Sequence, residues 1–178
     1  MFLVHRNARA RLFVPVWTAC LLLGMSGAGL ANVDAGMDLW RTDPNTTFQD
    51  LSGTPIPADF FDPGSDPFDG VIGLGGVALG ASTTCPNDDL SIVDTIVERL
   101  ATAVLPTVPS TDTVPIEIVE LSLRSTEPIT VTYNGGMNPE LWDVDVHLSQ
   151  LPQPQGTMTI TKNHPNGGFF SSDLPVLP

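Results

Sequence analysis

The sequence predicts a mainly β protein, an antiparallel β-sandwich-like domain, from three observations. Apolar and polar residues alternate with a period of two from Val114 onward, as they do in strands that bury one face. Short sequences typical of turns, YNGG, LPQPQG and HPNGG, separate these runs. The runs also recur about every ten residues, which is the spacing of strands in a two-layered β domain.

Four segments in this part of the chain are predicted strands: IEIVELSLR, PITVTY, LWDVDVHL and TMTIT. The first has apolar residues on both faces, which is typical of a strand that is covered on both sides. The third has the cleanest alternation, which predicts one inward and one solvated face. Its inward residues are Trp142, Val144, Val146 and Leu148, and its solvated residues are Asp143, Asp145 and His147.

The segment from Leu90 to Pro106 supports two interpretations. Apolar residues recur at helical spacing between Ile92 and Val104, which predicts one short helix over about 91–104. The β-branched sequence TIVERL within it favours a strand instead. The sequence leaves both interpretations open.

The first 31 residues have the pattern of an export signal. Three arginines precede the apolar run LFVPVWTACLLLGM, and small residues lead to a predicted cleavage after Ala31. Pro15 and a glycine-rich stretch leave that run shorter than the roughly 20 apolar residues that a membrane span needs. The predicted organisation is a signal peptide (1–31), an irregular Pro/Asp-rich segment (32–70) and a β-sandwich-like domain (71–178).

The charge of the remaining chain restricts its partners. Residues 32–178 contain 20 acidic residues and four basic ones, a formal charge of −16. Nucleic acid and anionic membrane surfaces are therefore excluded as partners, since both require a basic surface. We expect an exported protein, extracellular, at the cell surface or periplasmic, whose partner is an extracellular glycan or a surface component.

The stretch DFFDPGSDPFDG is the candidate metal site. Calcium takes about six to eight oxygen ligands, which a tight Pro/Gly loop can bring together. The spacing of the aspartates is not that of an EF-hand, however, and aspartates also begin turns by bonding to their own backbone. Calcium is the one cofactor that the sequence suggests, and its candidate ligands are Asp59, Asp62, Asp66 and Asp69.

No recognisable catalytic motif occurs in the sequence. We therefore expect a protein that is not an enzyme, with a non-catalytic binding or surface-structural role. Two alternatives remain. One is a calcium-assisted carbohydrate-binding or adhesion module that uses the aspartate-rich loop and the aromatic residues near it. The other is an extracellular hydrolase that uses paired carboxylates.

Five segments resemble an uncharacterised family of exported bacterial β-rich proteins: PIPADFFDPGSDPFDG, DTIVERL, VPIEIVELSLRSTEPITVTYNGG, LWDVDVHLS and QGTMTITKNHPNGGFFSSDLPVLP. The resemblance covers nearly all of the chain after residue 31. It implies export, a β-rich domain and a strand at DTIVERL, and it carries no assigned activity, cofactor or catalytic residue. The family pattern continues past LPVLP into another strand, which implies that this chain is a C-terminally truncated copy with an incomplete sheet.

Overall fold

In a computed structural model, residues 2–6 and 31–178 are described, and they form β-strands without any helix. The prediction of a mainly β, sandwich-like domain is confirmed. The strands are β1 (Phe2–Arg6), β2 (Ala31–Val33), β3 (Gly36–Trp40), β4 (Phe48–Asp50), β5 (Val71–Gly76), β6 (Thr95–Arg99), β7 (Ala103–Leu105), β8 (Ser110–Ser125), β9 (Ile129–Tyr133), β10 (Met137–Trp142), β11 (Asp145–His147), β12 (Gly156–His164) and β13 (Gly167–Val176).

Strand β8, which is 16 residues long, organises the main sheet. Its first half pairs with β12, its middle pairs with β6, and its last residues pair with β5 and β11. The sheet extends from β12 to β13 and β1, from β6 to β3, and from β5 to β4. Two smaller sheets, β9–β10 and β2–β7, complete the described part of the fold, and every strand pair is antiparallel.

A β-bulge in β8 lets this one strand serve two hydrophobic clusters. Val119 is the extra residue, because its neighbours Ile118 and Glu120 pair with consecutive residues of β6. One extra residue reverses which side chains face the core. Val114, Ile116 and Ile118 therefore lie in one cluster, whereas Leu123 lies in another. This arrangement explains why the sequence of β8 has apolar residues on both faces of the strand.

The core consists of three clusters of buried residues. The first joins β6, β7, β8, β12 and β13 through Val97, Ala103, Val114, Ile116, Ile118, Met158, Leu174 and Val176. The second lies under β5 and β9 and contains Leu51, Ile72, Leu74, Leu123, Ile129, Val131 and Tyr133. The third is smaller and contains Cys85, Leu90, Val93 and Ile96. Burial of these side chains is the main source of stability.

The helix predicted over about 91–104 is wrong, because the structure has β6 and β7 there. Ile96 and Val97 are adjacent in sequence and both fully buried, yet they belong to different hydrophobic clusters. Strand β6 lies between β3 and β8 and is covered on both faces. A strand of this kind has apolar residues on both faces, and here they happen to recur at helical spacing.

The segment predicted as irregular, 32–70, contributes to the sheets. It contains most of β2 together with β3 and β4, joined by turns. Strand β3 pairs with β6 over Gly36–Trp40, and Leu51, which follows β4, is 1% exposed. These strands are three to five residues long, and their sequences show no clear alternation of apolar and polar residues. The proline and aspartate residues between them therefore dominate the sequence pattern.

The predicted signal peptide falls largely outside the described residues, since 7–30 are not described. Residues Phe2–Arg6 form β1, which pairs with the last residues of β13. Among the residues described, there is no helix long and apolar enough to cross a membrane. Export and the cleavage after Ala31 stay predictions.

Candidate functional site

An apolar cleft of about 250 Å³ lies between the β12–β13 hairpin and the strands β2, β3, β6 and β7. Its apolar lining includes Leu105, Met158, Ile160 and Phe170. The ring of Phe170 is held in place by stacking on Trp40, with the ring centroids 5.4 Å apart. Most of the lining residues therefore lie in paired strands, and two, Pro165 and Asn166, lie in the β12–β13 turn.

An ion pair lies in this cleft. Arg99 Nη1 donates a hydrogen bond to Asp38 Oδ1 at 2.9 Å, and the two side chains are 13% and 20% exposed. Asp38 pairs with Val97 across β3 and β6, so Arg99 is its diagonal neighbour on the same face of the sheet. Burial raises the pKa of the Asp38 carboxyl, and the charge of Arg99 opposes that rise.

Each partner of this ion pair has a buried polar atom that makes no hydrogen bond. These atoms are Asp38 Oδ2 and Arg99 Nε, and within the described ranges only Ser65 Oγ and Trp142 Nε1 share this property. A buried polar atom without a partner costs about 1–3 kcal/mol. Such atoms are rare in folded proteins. Both atoms have almost no accessible surface, so a ligand in the cleft would contact them only after a local rearrangement of the ion pair.

The carboxylates of the aspartate-rich loop accept hydrogen bonds that hold turns in place. Asp66 accepts hydrogen bonds from Gly135 N at 2.9 Å, from Gly136 N at 2.8 Å and from Thr132 Oγ1 at 2.9 Å. These bonds lower the pKa of the Asp66 carboxyl. They also fix the β9–β10 turn, where both glycines have positive φ. Asp66 thus joins the loop to a neighbouring hairpin.

The other aspartates of the loop are arranged locally. Asp59 adopts a φ of 62° and accepts a hydrogen bond from Gly64 N at 2.7 Å. The backbone oxygen of Asp62 accepts a hydrogen bond from Ser65 N at 3.0 Å. In residues 2–6 and 31–178, no group of three or more Asp, Glu, His or Cys side chains is placed to hold a metal ion. The observed contacts are those of turns, and calcium binding stays a prediction.

The polar face of LWDVDVHL follows the predicted alternation. Asp143, Asp145 and His147 are exposed, and the apolar residues between them are half-buried. Asp145 accepts hydrogen bonds from Arg124 Nε at 2.7 Å and from Arg124 Nη2 at 3.2 Å across β11 and β8. This pairing lowers the pKa of Asp145 and raises the pKa of Arg124. These residues form a surface ion pair on the solvated face.

Most aromatic side chains near the aspartate-rich loop pack inward. Phe61 contacts the rings of Phe60, Phe68 and Trp142, and three of these four side chains pack against the second hydrophobic cluster. Phe60 is the exception, with 65% of its surface exposed. The loop therefore presents one exposed ring to solvent.

The cleft could not be recognised in the sequence, because its residues come from six separate strands and a turn. One feature of the sequence does point to the cleft. Arg99 and Lys162 are two of the four basic residues in 32–178, and both line the cleft. Because the rest of the chain is so acidic, the positions of its few basic residues are informative.

Comparison with known proteins finds no matching family model, no matching curated protein and no matching solved structure. Function is therefore inferred from the residues and geometry of this chain. The resemblance to an exported bacterial family stays a prediction.

Proposed function

We propose that this is an exported, non-catalytic binding protein and that a small ligand occupies the cleft at Asp38 and Arg99. The observation that carries the proposal is an apolar cleft whose lining includes the partly exposed ion pair of Asp38 and Arg99. Both residues line the same apolar cleft. A few polar groups within an apolar concave surface are typical of a site for a small molecule.

The dimensions of the cleft suit a small ligand. An engineered cavity of about 150 Å³ binds benzene, whereas pockets for drug-sized molecules are about 300–1,000 Å³. The cleft, at about 250 Å³, lies between these values. A ligand with one ring or a short aliphatic chain would contact Leu105, Met158 and Phe170 and reach the polar pair.

The chemistry of the lining supports binding rather than catalysis. The described residues that line the cleft include no Cys, His, Ser or Tyr. Asp38 is paired with Arg99, a cation that does not act as a proton acceptor. Measurable turnover on a panel of glycosidase and esterase substrates would contradict the non-catalytic part of the proposal and favour the hydrolase alternative.

A fragment screen tests the site. Ligand-observed NMR with one-ring and short-chain compounds would be run on the exported protein and on Ile160→Trp, which adds volume in the cleft. The matched control is Ile92→Trp, because Ile92 is 64% exposed and does not line the cleft. We expect fragments that bind the parent and the control but not Ile160→Trp. The proposal is wrong if no fragment binds or if Ile160→Trp binds like the parent.

The calcium-assisted carbohydrate-binding alternative has one observation in its favour, the exposed Phe60 ring beside the aspartate-rich loop. Exposed aromatic rings can stack on sugars. A glycan array with and without chelator tests it, together with calorimetric titration of calcium into the parent and into Asp62→Asn/Asp69→Asn. A flat array and the absence of a calcium binding heat would exclude this alternative.

A further inference from the structure

We infer that the ligand of the cleft is a small amphipathic monoanion, a monocarboxylate with an apolar body, whose head group lies between Arg99 and Lys162. This inference rests on the proposed function and specifies the chemical class of the ligand. The apolar body would occupy the space between Leu105, Met158 and Phe170. The carboxylate would accept hydrogen bonds from the two cationic side chains.

The distribution of charge is the first support. The four basic residues in 32–178 are Arg41, Arg99, Arg124 and Lys162, against 20 acidic residues. Two of the four line this one cleft, where Asp38 is the single acidic residue among the described lining residues. The cleft thus has a formal charge of +1, although the chain from residue 32 onward carries −16. Walls of low dielectric strengthen the attraction of such a cleft for an anion.

The state of the two cations is the second support. Arg99 uses Nη1 for Asp38, and among the described hydrogen bonds none uses its Nη2. Lys162 is half-buried, and among the described ion pairs none includes it. Arg124 differs, because it lies outside the cleft and both of its contacts go to Asp145. Arg99 and Lys162 therefore retain donors for a ligand.

Asp38 limits the charge of the ligand. Asp38 lines the same cleft as the proposed carboxylate, and like charges at short distance repel each other. One negative charge is balanced by the net +1 of the cleft, but a second is not. We therefore expect a dianion with the same apolar body to bind more weakly than the monoanion.

Four probes that share a phenyl ring test this inference by calorimetric titration: phenylacetate, 2-phenylethanol, 2-phenylethylamine and phenylmalonate. We expect phenylacetate to bind the parent about tenfold more tightly than the alcohol, because one charge-assisted hydrogen bond contributes about that much affinity. The amine and the dianion should bind more weakly than phenylacetate. In Lys162→Met the preference for phenylacetate over the alcohol should fall to about twofold or less.

The matched control is Arg124→Met, which removes the same charge outside the cleft. It should keep the parental preference, because the long-range effect of one exposed charge is screened by salt. If Arg124→Met loses the preference as Lys162→Met does, net charge is the cause and the inference is wrong. If the alcohol or the amine binds as tightly as phenylacetate, the monoanion is wrong but the binding site stands. If none of the four binds, both proposals are wrong.

Discussion

Asp94 and Asp38 are buried carboxylates whose oxygens are used in different ways. Asp94 is 2% exposed and accepts hydrogen bonds from Thr42 N at 2.6 Å, Thr42 Oγ1 at 2.7 Å and Thr95 Oγ1 at 2.7 Å. A side chain at position 76 would overlap the Asp94 carboxylate, so Gly76 is required beside it. Asp38 has one oxygen paired and one free. Asp94 therefore has a structural role, whereas Asp38 lines the cleft and keeps one oxygen without a hydrogen bond.

Replacing Asp94 by Ala should lower the free energy of unfolding by about 3 kcal/mol, because it leaves buried donors of Thr42 and Thr95 without an acceptor. Urea denaturation measures the change. The control, Asp143→Ala, alters an exposed aspartate and should stay within about 0.5 kcal/mol of the parent. Equal stability of the two variants would show that Asp94 does not anchor Thr42.

We expect the Asp66 carboxyl to make the stability of the fold depend on pH. Its pKa is lowered from the ordinary value of 3.8 by hydrogen bonds from Gly135, Gly136 and Thr132. A lowered pKa in the folded state means that the ionised group stabilises the fold above the ordinary value, and that this contribution is lost as pH falls through the lowered one. The difference in melting temperature between the parent and Asp66→Asn should therefore shrink from about pH 6 to about pH 3. A difference that is constant or larger at low pH would contradict this.

At the scale of the elements, the β12–β13 hairpin depends on close approach of its backbone at Gly156. A Cβ atom there would overlap the Asp173 carbonyl oxygen and lie 2.9 Å from Leu174 Cα. Gly167, at the start of β13, has no atom within 4 Å of the same position. Because β13 also forms a wall of the cleft, this packing fixes the position of Phe170.

Gly156→Ala should accordingly lower the free energy of unfolding by about 2 kcal/mol, the typical cost of overpacking against backbone. Gly167→Ala, the matched control in the same hairpin, should change it by less than about 0.5 kcal/mol. Thermal denaturation followed by circular dichroism compares the two. Similar melting temperatures for both variants would mean that the hairpin is not closely packed at Gly156.

Element-scale patterning predicted four strands from Val114 onward, but it did not predict β13, and it treated LWDVDVHL as one strand although the structure divides it between β10 and β11. Strands β8, β9 and β12 are long enough to alternate, and glycine-rich sequences mark the turns. The same approach failed for β6, because a strand buried on both faces has no alternation. It also missed the strands in 32–70, which are too short for a period to be visible. The bulge at Val119 depends on the register between β8 and β6. Because that register is a property of the pair, the sequence of either strand alone does not predict the bulge.

The candidate site was less predictable than the fold. The aspartate-rich loop attracted attention because its residues are adjacent in sequence, and the structure uses Asp59 and Asp66 to hold turns. Asp38 and Arg99 are 61 residues apart and become neighbours only through the pairing of β3 with β6. A site made by strand pairing cannot be identified before the pairing is known.

At the scale of the whole molecule, the dominant property is the charge of −16 carried by residues 32–178. Repulsion among these negative charges destabilises the compact state. Salt screens this repulsion at distances beyond about 10 Å when its concentration is about 0.1 M. The melting temperature of the protein should therefore rise between about 0.05 M and about 0.5 M sodium chloride. A neutral osmolyte at matched osmolality controls for solvent effects. A melting temperature that falls with salt would mean that ion pairs, rather than repulsion, dominate the electrostatics.

The most direct test of the proposed binding site is NMR of the protein with ¹³C-labelled methionine methyl groups. Met158 is buried and lines the cleft, whereas Met137 is 62% exposed and Met37 is 38% exposed, and neither of these two lines it. Titration with phenylacetate should shift the Met158 methyl resonance in a saturable way and leave the Met137 resonance unchanged. Saturable binding that leaves the Met158 resonance in place, or no binding at all, would contradict a ligand site at Asp38 and Arg99.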